Sequence, residues 1–532
     1  MNTVFARFRG FSSPDRLRLW LPWALAVVSG GAMAAPYLRD EAGWLGWVAL
    51  VPLVAAVVPS GEGGARPAPF RLGFVWGLAF WGATIFWIRH TTALGMGALV
   101  TYLALYPAVW AWALGCFARR WSRPTGTSHL ALAALGAAAW VALEALRGWM
   151  LGGFPWNTLA VSQVRNLAFI QVAEWSGGPG ISFVVSFFNL ALWFTWRRLK
   201  AERFSPRSWR YEFSVALALV AACLMVGMRS LFFVARAETK AARSVRLVLI
   251  QPNIPQEVKF EAMSQERQHE VLRRLTLAGA VVKPHAILWP ETALVEGPTW
   301  DARSRRWLKI LAREAGVPIL FGTVDTDAAS EDRPSHTYNA AMMIAPDGAL
   351  SDPYRKLHLV PFGEYIPFEK GLPWMKHLTP IPGSFDEGKK GVLFDVGGVK
   401  LGPLICFEDT VARMSRDLVQ AGAEILVNFT NDAWFKESPG AAMHLRNAVL
   451  RAVETRRPLV RCTNSGFTTL VTPMGQVSTQ VAPFREGFLS VTVAAGEGLT
   501  FFARHGDLVS PACVMAVALG FLAFLPRRPP SA

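Results

Sequence analysis

Long apolar segments fill the first 240 residues of the chain and constrain its fold more than any other feature. Each segment is close to the ~20 apolar residues that are needed to cross a bilayer core about 30 Å thick. Residues 244–500 have the composition of an ordinary globular protein, and one more apolar segment follows them. We therefore predict about eight transmembrane helices, at residues 18–37, 43–59, 71–89, 95–118, 129–147, 168–196, 213–234 and 508–526.

The basic residues of the short loops predict the orientation of these helices, because cytoplasmic loops carry an excess of Lys and Arg. The amino-terminal tail and the loops after the fourth and sixth spans are rich in Arg and Lys, and they share one side if the spans alternate. The loop at 147–167, with Arg147 and Arg165, is a mild exception. Seven spans then place residues 240–505 outside the cytoplasm, and the eighth returns the carboxyl terminus to it.

The formal net charge of +16 follows largely from this loop bias and from contact with anionic lipids. No nucleic-acid-binding motif is present, so we expect no nucleic-acid partner. No CxxC or His-rich spacing suggests a metal. Cys116, Cys223 and Cys513 fall in predicted spans. Cys406 and Cys462 fall in the outside part, where an oxidising compartment would allow them to pair.

Apolar strands alternate with helices from residue 244 onwards, beginning with the strand SVRLVLIQ and the helix SQERQHEVLRRLTLAG. Strands separated by helices of this length predict an α/β layered domain with buried sheets. The chain is thus expected to have three parts. These are a membrane domain at 1–240, an α/β domain at 241–505, and a last span with a cytoplasmic tail at 506–532.

Three residues stand where an apolar strand ends or where a charge interrupts an apolar stretch. Cys406 separates the strand KLGPLI from the helix VARMSRDLVQ, and a helix start or a nearby cation there would lower the pKa of the thiol. Glu291 follows Trp-Pro and could act as a general base. Lys356 could stabilise a thiolate or an oxyanion. For each residue alone, a structural role is at least as good an interpretation as a catalytic one. These roles are a packed cysteine, a capping acid and a lysine that snorkels to the surface.

The order of the motifs is more specific than any of them alone. WPETA, YRKLHLVPFGEYIPF and ICFED resemble the motifs of the nitrilase superfamily, whose Glu–Lys–Cys triad matches Glu291, Lys356 and Cys406. With the membrane block, the whole chain resembles the apolipoprotein N-acyltransferase family, as do FPWNTLAVSQ at 154–163 and NFTNDAWF at 428–435. The resemblance implies a polytopic α-helical membrane domain joined to a nitrilase-like αββα sandwich. It also implies the bacterial inner membrane, with the sandwich in the periplasm.

The resemblance further implies a ping-pong acyl transfer. Cys406 would attack the sn-1 ester of a phospholipid, with phosphatidylethanolamine the expected donor, while Glu291 takes the thiol proton. Lys356 and a backbone N–H near Phe407 would hold the oxyanion. The acyl chain would then pass from the thioester to the α-amine of diacylglyceryl-cysteine at the amino terminus of an apolipoprotein. We expect a monomer that uses no cofactor and no metal.

Four residues are expected to support this site, and three of them have a plain structural alternative. Glu364 would orient Lys356 or carry protons, or form a structural salt bridge. Glu408 would tune the thiolate or cap the following helix. Phe407 stands where the family often has Tyr, so a hydroxyl role is absent here. Trp434 would line the lipid entry or belong to the core.

Several polar residues are predicted to be structural. Asn339 and Asn431 are expected to form structural hydrogen bonds, and His358 and His444 to be satisfied or surface histidines rather than bases. Cys462 has no accompanying acid or Lys motif, so it is not expected to react.

Two other functions remain open from the sequence. A membrane-tethered amidase or nitrilase-type hydrolase would share the triad and use water as the acceptor. A non-catalytic membrane scaffold or transporter would have charged residues inside the spans, and Glu144 and Glu174 are the candidates.

Overall fold

The computed structural model describes residues 14–58, 67–120, 125–202, 211–238, 243–256, 265–327, 336–367, 371 and 384–523. The helices of the membrane part are α1 Pro14–Leu38, α2 Val51–Val57, α3 Pro69–Thr84, α4 Ala93–Arg120, α5 Gly126–Arg147, α6 Leu167–Ile170, α7 Ala173–Ala201, α8 Tyr211–Glu238 and, near the carboxyl terminus, α14 Val509–Leu522.

All eight predicted spans are helical, but they differ in length. Six lie in helical segments that are long and apolar enough to cross a bilayer. The third, α3, has 16 residues and the eighth, α14, has 14. The exact number of crossings therefore rests on these two shorter helices, and the chain is a multi-pass membrane protein.

The second predicted span is broken in the middle. A 3-10 helix, Asp40–Trp47, precedes α2, and backbone groups at such a break need partners because lipid offers none. Asn189 of α7 supplies them: its Nδ2 donates to the Gly46 oxygen at 2.9 Å, and its Oδ1 accepts from the Leu50 N–H at 3.0 Å. A buried amide thus replaces the missing helical hydrogen bonds.

The segment WSGGPG forms a kink near the start of α7. Gly177 has φ 63° and ψ −176° inside α7, and a Cβ at this position would lie 2.4 Å from the ring of Phe502. A glycine is required because the backbone has a positive φ and a close neighbour.

The α/β part has twelve strands and four longer helices in the described residues. The strands are β1 Ser244–Gln251, β2 Ala286–Leu288, β3 Ile319–Thr326, β4 Thr337–Ile344, β5 Tyr354–Arg355, β6 Phe394–Val396, β7 Val399–Ile405, β8 Ile425–Thr430, β9 Leu459–Thr463, β10 Thr468–Val471, β11 Val477–Val481 and β12 Gly487–Ala494. The helices are α9 Gln265–Ala280, α10 Ala302–Ala315, α11 Ala412–Gln420 and α12 Gly440–Thr455, with a short α13 Phe501–His505.

The strands form two six-stranded sheets, in the orders β12-β1-β2-β3-β4-β5 and β11-β10-β9-β8-β7-β6. One apolar core lies between the sheets, and a second lies between the first sheet and helices α9 and α10. Helices α11 and α12 cover the other sheet and share a third core with the membrane helices. The layers are therefore α-β-β-α, as predicted, and one outer helical layer is also the surface that meets the membrane part.

Helix α12 joins the two parts of the chain. All but two of its 16 residues are buried, including several polar ones. Arg446 donates to Asp40 at 2.6 Å and to the Tyr37 oxygen at 2.5 Å, and Asn447 accepts from the Asn157 N–H at 2.9 Å. These contacts connect α12 to the amino-terminal helix and to the loop that follows α5.

The Arg446 contacts yield a test of this connection. We expect Arg446→Ala to lower the free energy of unfolding by about 1–2 kcal/mol, because charge-assisted hydrogen bonds between the two parts are lost while Asp40 keeps its second partner, Arg165. The measurement is the thermal unfolding midpoint of the purified protein in detergent.

Arg274→Ala is the matched control. It removes an ion pair of 2.5 Å to Glu486 that lies at the surface of the α/β part, where such pairs contribute little. Equal midpoints for the two variants would contradict a stabilising role for Arg446.

Candidate active site

Cys406 occupies a sharp turn directly after β7. Its φ is 51°, a left-handed conformation that costs a non-glycine residue about 1–2 kcal/mol, and a 3-10 turn over Cys406–Thr410 follows before α11 begins. Asn428 of the neighbouring strand holds the turn by donating to the Cys406 oxygen at 2.9 Å. The predicted strand-to-helix turn is confirmed, with the short 3-10 turn as an addition.

Glu408 fastens this turn to the segment that carries Lys356. One carboxylate oxygen accepts from the Tyr354 hydroxyl at 2.9 Å and from the Ile405 N–H at 2.7 Å. The other accepts from the N–H groups of Leu357 at 2.7 Å and His358 at 3.0 Å. Burial raises the pKa of Glu408 to about 7, against the Lys356 charge and these donors. Glu408 thus bridges two segments and does not cap α11.

Lys356 is buried between carboxylates. Its Nζ lies 2.8 Å from Glu364 and 3.7 Å from Glu291, and its side chain is 1% exposed. Burial alone lowers the pKa of a lysine, but Glu364 and Glu291 outweigh burial and raise the pKa of Lys356 above its usual value. The lysine is therefore a fixed cation and does not snorkel to the surface.

Two asparagines fix the Glu291 carboxylate. Asn339 Nδ2 donates to Glu291 at 2.7 Å and to Glu364 at 2.9 Å, which bridges the two acids. The Asn431 N–H donates to the other oxygen of Glu291 at 2.9 Å. These hydrogen bonds orient Glu291 in the cluster with Lys356.

The charges of this cluster act on Cys406. Burial raises the pKa of the Cys406 thiol well above its usual range, the Glu291 charge raises it further, and Lys356 lowers it only in part. The expectation that the turn and a nearby cation lower the thiol pKa is wrong, because burial and the two carboxylates together outweigh the one lysine. At rest, Cys406 is therefore a thiol and not a thiolate.

A loop from the membrane part packs against the cysteine turn. Arg147, at the end of α5, donates to the oxygens of Phe154 at 2.8 Å and Trp156 at 2.6 Å. Trp156 stacks on Phe407, with ring centroids 6.1 Å apart and an interplanar angle of 7°. The segment FPWNTLA thus brings the membrane helices into contact with the residue that follows Cys406.

Glu144 and Glu174 also have structural partners. Glu144 accepts from the Leu159 N–H at 2.7 Å and from Trp140 at 2.9 Å. Glu174 pairs with Arg456 of the α/β part at 2.9 Å. Both acids therefore hold loops and domains in place.

His444 lies at the centre of a buried ionic cluster that the sequence did not predict. Its Nε2 lies 3.0 Å from Asp409, and its Nδ1 lies 2.8 Å from Asp432, while Arg461 contacts both aspartates. Burial lowers the pKa of His444, but Asp409 and Asp432 raise it overall to about 9, against Arg461. A single histidine thus links the cysteine turn to the turn after β8, whose Asn431 orients Glu291.

The remaining predicted residues take different places. Phe407 is buried, whereas Trp434 is 40% exposed and therefore does not belong to the core. Cys462 is buried, donates to the oxygens of two strands of the facing sheet, and is free, as is Cys406. Only the Glu–Lys–Cys order and the strand-end positions could have predicted the cluster; His444 sits inside a helix, with no local signal.

Comparisons with known proteins cover both parts of the chain. The apolipoprotein N-acyltransferase N-terminal domain matches residues 29–191, and the carbon-nitrogen hydrolase family matches residues 272–498. A mutant of an amidase from Nesterenkonia AN1, of the nitrilase superfamily, is a solved structure with 17% sequence identity and a TM-score of 0.36 that covers 51% of this chain and 95% of its own.

Relatives match along nearly the full length. The apolipoprotein N-acyltransferase of Geobacter metallireducens is 34% identical over 93% of this chain and 94% of its own length. That of Rhizobium leguminosarum is 30% identical over 94% and 97%, and that of Bordetella bronchiseptica 28% over 96% and 98%. A relative of this identity and coverage shows that the chain belongs to the apolipoprotein N-acyltransferase family.

Proposed function

We propose that this enzyme transfers an acyl chain from the sn-1 position of a phospholipid to the amino-terminal α-amine of a diacylglyceryl-cysteine apolipoprotein. The observation that carries the proposal is the position of the cysteine turn. The charges of Glu291 and Lys356 shift the pKa of the Cys406 thiol. Phe407, the next residue, belongs to the apolar core that includes the membrane helices. Two lipid-anchored substrates require a reactive group at such a boundary.

The first half-reaction forms a thioester. Glu291 takes the proton of the Cys406 thiol as the sulfur attacks the ester carbonyl, and the carbonyl electrons move to the oxygen. The ester C–O bond then breaks, and Glu291 returns the proton to the departing glycerol oxygen. The products are a lysophospholipid and an acyl chain on Cys406.

The second half-reaction forms the amide. The neutral α-amine of the apolipoprotein attacks the thioester carbonyl, and Glu291 takes a proton from the nitrogen. The C–S bond breaks, and the proton from Glu291 returns to the sulfur. The thiol is regenerated, so no cofactor or metal is consumed.

Lys356 is proposed to stabilise the oxyanion in both halves, together with a backbone N–H near Phe407. Its charge is present before the reaction starts because Glu364 and Glu291 hold it there. A preorganised cation of this kind stabilises the transition state more than the resting ester. Glu364 is proposed as the residue that orients Lys356.

The supporting residues have proposed roles of a different kind. Glu408 and His444 are positioning residues, since they contact the turn of Cys406 and not the reacting atoms. The exposed Trp434 is proposed to lie along the path of a lipid. Phosphatidylethanolamine is the proposed donor, and a monomer the proposed state.

The proposed location is the inner membrane of a bacterium, with residues 241–505 in the periplasm. The membrane domain at 1–240 and the last span within 506–532 would then hold the catalytic domain from both sides. The predicted cytoplasmic tail after α14 lies outside the described residues. Structural partners for Glu144 and Glu174 weaken the transporter alternative, which requires charges free to serve a pathway.

The thioester yields the first test. After incubation with phosphatidylethanolamine in detergent, intact mass spectrometry is expected to find one acyl chain on the protein, removable by hydroxylamine. Cys406→Ala is expected to abolish the adduct, and Cys462→Ala, which removes a buried thiol, to keep it. Discharge by a diacylated lipopeptide supports the transferase.

Two outcomes would contradict this proposal. An adduct that buffer discharges as fast as the lipopeptide would identify a hydrolase. An adduct that survives in Cys406→Ala would exclude Cys406 as the nucleophile.

Glu291→Gln removes both the proposed base and its negative charge, and two assays distinguish the effects of these losses. Acyl transfer is expected to fall by roughly 100-fold or more, because the base is lost. Alkylation of Cys406 by iodoacetamide at pH 8 is expected to become faster. The Glu291 charge raises the thiol pKa in the wild-type protein, so its removal lowers that pKa and increases the thiolate fraction. Slower alkylation together with slower transfer would indicate damage to the turn.

The pKa of His444 predicts a pH dependence of stability. Because the folded-state pKa is about 9 and the unfolded value about 6.5, its stabilisation is complete below pH 6.5 and is lost as pH rises through 9. His444→Gln is expected to flatten this decline in the thermal midpoint and to reduce the acylation rate at saturating phospholipid by about tenfold. An unchanged rate would limit His444 to stability.

A further inference from the structure

A groove of about 1110 Å³ lies between α8 and the α/β part. On one side it is lined by Val226, Arg229 and Phe233 of α8. On the other side it is lined by the strand residues Leu470 of β10 and Val493 of β12. The groove therefore runs along the seam where a membrane helix meets the sheets.

This groove lies apart from the candidate active site. Strands β7, β8 and β9 are parallel, and Cys406 follows the carboxyl end of β7. Pro458, which lines the groove, precedes the first residue of β9. At about 3.3 Å per residue, the five residues of β9 separate the two ends of the sheet by roughly 13 Å. None of the residues that line the groove belongs to the Cys406 cluster, so the groove is a separate site.

The α8 wall of the groove faces lipid. The span Tyr211–Val234 has a mean hydropathy of 2.2, and only 6% of it is buried. The groove-lining Val226 and Phe233 are 46% and 55% exposed. A side chain of this kind in a membrane span is covered by acyl chains, because no protein surface covers it.

A cation stands at the same wall. Arg229 is exposed and lies with its guanidinium 5.6 Å from the ring centroid of Phe233, and it has no ion pair within the described parts of the chain. Arg456, deeper in the groove, is fully engaged with Glu174, Gln171 and Ser230. An arginine prefers phosphate oxygens as partners, so the phosphate of a lipid in this groove would meet Arg229.

We propose that the groove is a phospholipid-binding site. The phosphate binds Arg229, and the acyl chains lie along Val226 and Phe233 of α8. The site is independent of the acyl-transfer proposal, because it contains none of the residues of the Cys406 cluster. Glu497 also lines the groove and would attract the ammonium of a zwitterionic headgroup.

The test counts lipids on the full-length protein by native mass spectrometry. Each variant is made in the Cys406→Ala background, so that no acyl chain is transferred. The detergent-purified proteins are titrated with phosphatidylethanolamine, phosphatidylglycerol and, as a probe without phosphate, diacylglycerol. Besides a phospholipid at the Cys406 site, we expect one tightly bound phospholipid in the groove, and Arg229→Gln is expected to weaken this second one about tenfold or more, because a charge-assisted hydrogen bond is lost. Arg229→Lys is expected to retain most of the binding.

Arg89→Gln is the matched control. Arg89 is also an exposed arginine over a phenylalanine ring, at 3.8 Å from Phe86, but it does not line the groove. Unchanged binding in Arg89→Gln, with weaker binding in Arg229→Gln, supports the site. Equal loss in both variants would overturn it, as would diacylglycerol binding as tightly as the phospholipids. If phosphatidylethanolamine binds more tightly than phosphatidylglycerol, this supports a contact between Glu497 and the ammonium of the headgroup.

Discussion

The guanidinium of Arg147 holds the loop that connects the membrane helices to the turn of Cys406. It donates to the oxygens of Phe154 and Trp156, and this gives the loop after α5 a fixed shape where water is scarce. Trp156 then stacks on Phe407, whose backbone continues the turn of Cys406. The mild exception that Arg147 made to the loop charge rule thus has a physical reason, since this arginine holds a loop.

Around the cysteine, two buried cationic groups each lie between two carboxylates. Lys356 lies between Glu364 and Glu291, and His444 lies between two aspartates. In the first cluster, two carboxylates accompany one lysine, so a thiolate would add a second unbalanced negative charge. Keeping the proton on sulfur avoids this cost, and in the proposed reaction Glu291 takes that proton.

The sequence predicted the elements that local pattern determines and missed those that depend on distant partners. Hydrophobic periodicity and the positions of Pro and Gly predict the local elements. These are the apolar segments, the strand ends at Glu291 and Cys406, and the helix between β7 and β8. The direction of the Cys406 pKa shift does not follow from local pattern, because it depends on how deeply the fold buries the thiol and on how many carboxylates it brings close. His444 was predicted to be a satisfied or a surface histidine, and its buried ionic cluster was missed because the two aspartates that hold it are distant in the chain.

Two membrane helices flank the α/β part in the chain, α8 before it and α14 after it, and α12 anchors its middle. Helix α14 packs against Ala138 and Val141 of α5, so the second tether returns to the same bundle as the first. A domain held at both ends and in the middle cannot swing away from the bilayer or turn its cysteine towards open solvent. Its substrates must therefore diffuse laterally to a stationary site, and their arrival is a two-dimensional search within the membrane plane.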